Sequence, residues 1–230
     1  MAPRFQFTYG RWAAGIAAML AAIAMVRYPG GTYRDHSTRG YSLSHNFLSD
    51  LGATVAHNGQ PNGTGTALFI ASLTILVFGM GGCLVGLITV YSRNTTTRRL
   101  ALAAGVIAAV VCASFIGVAL TPEDRMLSLH IQLTRLAFRA FPLVALLMAL
   151  ASRADAGVPT RATLGWALLT VILAAYVVIL DWGPSTRTPS GLVVQVVAQK
   201  VVTVAAVLLI VFQTYVADRG LQPAALDARA

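Results

Sequence analysis

Six apolar runs, near residues 10–28, 64–91, 99–121, 127–151, 162–182 and 190–217, dominate this sequence. Each approaches or exceeds the ~20 residues an α-helix needs to cross a hydrocarbon core ~30 Å thick. Within such a core every backbone N–H and C=O must be satisfied inside the segment, so helices are the state open to runs of this kind. The expected fold class is all-α: a polytopic membrane protein built as a six-helix transmembrane bundle, one domain over residues 1–230.

Composition narrows the function classes. Only 11% of the residues are charged and 57% are hydrophobic, against about 25% charged in a soluble domain. The net charge of +9 comes from basic residues scattered singly or in pairs between apolar runs. That is not the clustered footprint of a nucleic-acid binder, so no nucleic-acid partner is expected. Cys83 and Cys112 both fall inside spans and read as packed thiols, since two cysteines make no metal motif. Neither a metal nor a cofactor is expected. There is no nucleotide-binding glycine loop, no H-E-x-x-H, no C-x-x-C and no internal repeat. The basic flank at Arg4 and Arg11 followed by an apolar stretch mimics a signal peptide, but no small-residue cleavage site closes it; an uncleaved first helix is expected.

Arginine counts orient the bundle. Arg4, Arg11, Arg93, Arg98, Arg99, Arg153, Arg161, Arg219 and Arg229 fall on one side, against Arg27, Arg34, Arg39, Arg125 and Arg187 on the other. Both termini are therefore expected in the cytoplasm, in a cell membrane of bacterial inner-membrane type. The long segment 29–63 becomes an extracytoplasmic loop. Its ends are rich in Gly, Pro and Asn, and its middle, Phe47 to Val55, is apolar enough to lie at the interface or tuck into the bundle mouth. In span two, Gly82 and Gly86 stand four apart, a small-residue face for close packing within the bundle or between copies in a homo-oligomer.

Span four carries the polar residues that most need an explanation. It runs from the acidic turn at Glu123 and Asp124 into an apolar helix without an evident break. Ser128, Gln132, Arg135 and Arg139 share one narrow face at helical spacing, and Arg139 is expected near mid-membrane, where a charge needs a partner or a cavity. His130 points about 180° from Arg139 at ~100° per residue. In the last span Gln195, Gln199 and Thr203 lie on one side with Lys200 beside them. Buried amides in a membrane need partners, so spans four and six are expected to face each other. Asp50, Glu123, Asp124 and Asp181 all fall at the loop end. The expectation is a pocket with a positive floor (Arg135, Arg139, Lys200) and an acidic rim. His36, His45 and His57 read as mostly solvated loop residues, with His45 next to the apolar stretch, and Ser49 as a local cap.

Asn46-Phe47-Leu48-Ser49-Asp50-Leu51-Gly52 in the first loop, Thr121-Pro122-Glu123-Asp124 with His130 at the third hairpin, and the polar start of the last span resemble the six-helix membrane proteins grouped as "domain of unknown function 998". The resemblance covers nearly the whole chain. It implies a six-helix bundle with these motifs at one face, and no activity. Ser49, Asp124 and His130 are more loosely similar to the transmembrane hydrolases that include alkaline ceramidases and progestin/adiponectin receptors. Those hold zinc with a histidine pair where this chain has Gln195-x-x-x-Gln199, and glutamines are poor zinc ligands.

The function expected from the sequence is an outward-opening intramembrane pocket for an anionic lipid or amphiphile, held by Arg135, Arg139, Gln195, Gln199 and Lys200. The partner is then membrane lipid. An alternative is a membrane-embedded lipid hydrolase or transferase, with Asp124 and His130 as an acid–base pair and Asp50 beside them. A small transporter and a scaffold with structural ion pairs complete the alternatives.

Overall fold

The computed structural model describes residues 3–91 and 94–220. Arg93 and Arg229, two of the residues counted for orientation, and the polar tail from residue 221 on lie outside the described residues. Six helices follow one another: α1 (Pro3–Arg27), α2 (Gly63–Val90), α3 (Thr95–Leu120), α4 (Glu123–Arg153), α5 (Thr160–Trp182) and α6 (Pro189–Gly220), with a short 3₁₀ turn at Ser49–Gly52 between α1 and α2. All six are long and apolar enough to cross a membrane. The fold is an all-helical bundle of the kind a multi-pass membrane protein has, and the spans read from the apolar runs match its helices to within a few residues, except at the start of α1.

Local signals set the ends. Asn94 caps α3: its side chain accepts from Thr97 N at 2.9 Å while the Thr97 hydroxyl accepts from Asn94 N at 3.2 Å, satisfying two of the donors a helix start leaves open. Pro122 stands before α4, and Glu123 and Asp124 place negative charge at its N-terminus, where the helix dipole favours it. The expected unbroken entry into α4 is corrected here. Met126 leaves helical geometry at φ −132°, ψ 40°, so the acidic first turn is set off from the rest of the helix and can be aimed independently.

The helices pack in chain order as a closed ring, each on the next, with α6 returning to α1 and also touching α2. The tightest seam joins α1 and α2. A Cβ on Gly79 would fall 2.3 Å from the Ala13 Cβ, and one on Gly10 would fall 2.0 Å from the Cys83 sulfur. The close face of α2 is thus Gly79, Cys83 and Gly86 rather than Gly82, where a Cβ would meet only Tyr9 at 4.0 Å. The ring is closed by Arg11, whose guanidinium donates to Asp218 at 2.6 Å and Thr214 at 2.9 Å and lies over the Tyr215 ring.

The expectation that spans four and six face each other does not hold. α4 packs between α3 and α5, and α4 and α6 form no packed pair. The buried face of α4 carries His130, Ala137, Phe138, Val144, Ala145 and Met148, with the Phe138 ring packed edge to face against Phe115 of α3 and Tyr176 of α5. Ser128, Gln132, Arg135 and Arg139 lie on the opposite, exposed face. The partners expected from α6 come from elsewhere. Gln195 donates to Ile179 O at 2.7 Å, and Gln199 accepts from Leu48 N at 2.8 Å.

The first loop is a folded cap. Gly30 and Gly31 hold φ of 138° and 81°, and a Cβ on Gly31 would lie 2.3 Å from Asn58 N, so the chain can double back here only with glycine. Asn62 ties the far end, donating to Leu51 O at 3.1 Å and Ala53 O at 2.9 Å. Leu51 is fully buried among Ala24, Tyr28, Ala56 and Phe69, a small second core beneath the cap.

Candidate functional site

Three titratable groups converge under this cap. Asp50 leaves the 3₁₀ turn pointing inward, with its side chain 2% exposed. The turn at His57, Asn58 and Gly59 swings the His57 ring back over it, with Nε2 at 3.3 Å from Asp50 Oδ2 and 3.8 Å from Glu123 Oε1. Glu123 arrives from the detached first turn of α4 and also touches Ser49. One ligand atom from each of the three lies within 4.8 Å of the others. His57 keeps 23% and Glu123 16% of the side chain exposed, so the cluster is roofed yet open at one edge.

Asn46 holds the cluster in register. Its amide donates to Asp50 Oδ2 at 2.8 Å and Gly31 O at 2.9 Å, and its Oδ1 accepts from Ser42 N at 2.9 Å. All three side-chain bonds are formed and the residue has no exposed surface, as a buried amide requires. Its own carbonyl accepts from the Tyr41 hydroxyl at 3.1 Å and from the Lys200 ammonium. Tyr41 and Tyr28 meet edge to face, 5.8 Å between ring centres. Burial pushes both hydroxyls above the ordinary tyrosine range, and the nearby Asp50 and Glu123 add to it. They serve here as neutral donors and acceptors.

Asp124, one residue from Glu123, does different work. Its carboxylate accepts from Thr54 N at 2.8 Å, from the Thr54 hydroxyl, and from Val55 N at 3.2 Å. This pins the cap to the start of α4. His130 is buried, and its Nδ1 meets Thr121 O at 2.7 Å. The structure therefore does not join Asp124 and His130 as an acid–base pair: each has its own partners. The histidine that meets carboxylates is His57, which the sequence places among solvated loop residues. The available signal was the Asn58-Gly59 pair, a turn dipeptide; in the structure it reverses the chain, with a Val55–Pro61 bridge, and returns His57 toward Asp50.

The three cations also separate. Lys200 faces the cap through Asn46 and stands 5.3 Å from the Tyr41 ring. Arg139 sits on the outer face of α4 and makes a two-pronged bond to Asp181 at 2.8 and 2.9 Å, with 54% of its side chain exposed. Arg135 is exposed one turn nearer the cap. There is no common positive floor. Ser152 and Thr163 are level, their hydroxyls 3.1 Å apart. Counting up from them at ~1.5 Å per residue, Arg139 stands ~20 Å and Asp181 ~27 Å higher. Asp181 is in the last turn of α5 beside Trp182, which is 76% exposed as an interfacial aromatic is. The Arg139 side chain spans the difference, carrying its charge toward the interface and away from mid-membrane.

Comparison with protein-family models, with curated proteins and with solved structures yields no match.

Proposed function

We propose that this protein is a multi-pass membrane enzyme of the hydrolase or transferase class, with its reactive centre at Asp50, His57 and Glu123. The centre would act on the headgroup of an amphiphile reaching the cap end of the bundle. Both termini then lie in the cytoplasm of a bacterial-type inner membrane, and membership of the domain-of-unknown-function 998 group belongs to the same reading. The observation that supports it is the convergence of two carboxylates and one imidazole, with ligand atoms within 4.8 Å, at an open edge of the cap.

That set can accept a proton from water as its oxygen attacks an ester carbonyl or phosphorus. The bond to the alcohol breaks, and a proton returns to the departing oxygen. Asn46 orients Asp50, and Asp50 and Glu123 orient His57. Such positioning residues fix geometry that a solvated loop histidine lacks.

A second reading has its own observation. Arg135 and Arg139 stand exposed on α4 near the interface, a placement suited to the headgroup of an anionic lipid held without turnover.

One experiment addresses both. The full chain is reconstituted in vesicles containing phosphodiester and carboxyl-ester amphiphiles, and headgroup and acyl release are followed for the wild type, His57→Asn, Glu123→Gln and the double variant Arg135→Ala/Arg139→Ala. Release that disappears in the first two folded variants supports the enzyme. If no amphiphile is cleaved, or if cleavage persists in both, the enzyme reading fails. Native mass spectrometry of the same samples then tests whether an anionic lipid is retained through the arginines.

A further inference from the structure

We infer that Asp50, His57 and Glu123 bind a divalent transition-metal ion. The donor set is one imidazole nitrogen and two carboxylate oxygens. This mix suits Zn²⁺ or Mn²⁺ and does not depend on the glutamines of α6. Spacing supplies a separate test of fit. Bonds of ~2.1 Å at tetrahedral angles place neighbouring ligand atoms ~3.4 Å apart. His57 Nε2 stands 3.3 Å from Asp50 and 3.8 Å from Glu123, both near that spacing, and the three ligand atoms all lie within 4.8 Å of one another.

Charge balance argues the same way. Two carboxylates converge where the nearest ammonium, Lys200, is turned to the Asn46 carbonyl. Among the described residues no arginine or lysine pairs with Asp50 or Glu123. Asp50 and Glu123 also hydrogen-bond each other side chain to side chain, so a proton lies between the two like charges, and an ion at the same place would take over its role. The pattern of three protein ligands with an accessible edge is also that of a site which keeps a position for water, whereas a purely structural site is closed by a fourth side chain. Both carboxylates are oriented by neighbours of their own: Asn46 holds Asp50, and Ser49 touches Glu123.

The chemical consequence rests on the enzyme reading above: an ion here would lower the pKa of its bound water and so supply the nucleophile. Binding itself does not depend on that reading.

The full chain, purified in detergent and stripped with chelator, is titrated with Zn²⁺ and with Mn²⁺ by calorimetry, with bound metal counted per chain after desalting. One ion per chain at micromolar affinity or tighter is expected. Glu123→Gln and His57→Asn should each weaken it at least tenfold, whereas His45→Asn, which alters a surface histidine bonded only to Ser42 and Ser44, should leave it unchanged. Asp50→Asn is a third ligand variant but carries the risk of unseating the cap, so the decision rests on the other two. Binding of neither ion, or binding indifferent to both Glu123→Gln and His57→Asn, overturns the inference. Metal bound without amphiphile cleavage leaves the site standing and refutes the enzyme, whereas cleavage by a protein that binds neither ion does the reverse.

Discussion

Replacing Asn46 by alanine should open the cap without unfolding the bundle. The side chain makes three hydrogen bonds in a place with no exposed surface: to the carbonyl of Gly31, from the amide of Ser42, and to the carboxylate of Asp50. Truncation leaves those partners buried and unmet. At ~1 kcal/mol for each neutral bond and ~2 kcal/mol for the one to a carboxylate, the cap loses roughly 4 kcal/mol of local stability. That corresponds to about a thousandfold rise in the open fraction. Hydrogen–deuterium exchange of the segment 42–56 in detergent reads this directly, through the Asp50 and Leu51 amides that bond to Phe47 O and Leu48 O. Asn46→Asp, which keeps the shape but sets a second carboxyl against Asp50, should be no milder. Ser44→Ala, which alters a hydroxyl at the exposed edge, should change nothing. If Asn46→Ala raises exchange by less than tenfold, or matches Ser44→Ala, the hydrogen-bonded lock is not what holds the cap.

Two further outcomes are expected. Gly79→Val should cost about 2 kcal/mol by holding α1 away from α2, because its first carbon already conflicts with Ala13 at 2.3 Å, whereas Gly82→Val should be near neutral; thermal unfolding of the two variants in the same detergent compares them. At the edge of the cap, the hydroxyl and amide of Ser37 bond the Asp35 carboxylate and hold its pKa below the usual aspartate range. A depressed carboxylate contributes stability that is present above its unfolded value and fades as pH falls through the folded one, so protection of the Ser37 amide should weaken below about pH 4 and stay constant from there to neutrality.

How much could be read in advance follows from what each residue depends on. The spans depend on local apolar runs, and they are where the sequence puts them. The opposition of His130 and Arg139 follows from helical spacing, and one is buried and the other exposed. Which face turns inward does not follow from spacing. The polar face of α4 looked like the lining of a pocket, yet α3 and α5 claim the side with Ala137, Phe138 and Ala145, where the Phe138 ring meets Phe115 on one neighbour and Tyr176 on the other. The Arg139–Asp181 pair was not legible because α5 had no fixed height against α4 until Ser152 met Thr163. The Asn46–Asp50 stretch and Glu123 stood out as polar residues in conspicuous places. His57 did not, because the local turn at Gly59 says only that the chain reverses, and what the ring then meets depends on a detached turn at Met126 far along the chain.

The closure of the ring by its last helix has a consequence for how the protein is made. Arg11 emerges near the start of synthesis, and the residues that satisfy it, Thr214 and Asp218, are translated some two hundred residues later. The cap waits for the same helix, since Leu48 is held by Gln199 and the Asn46 carbonyl by Lys200. A nascent chain lacking its sixth span would carry an unpaired guanidinium on its first helix and a loosely seated loop. An unpaired charge on the first helix and a loosely seated cap would thus distinguish a chain without its sixth helix from one that has it.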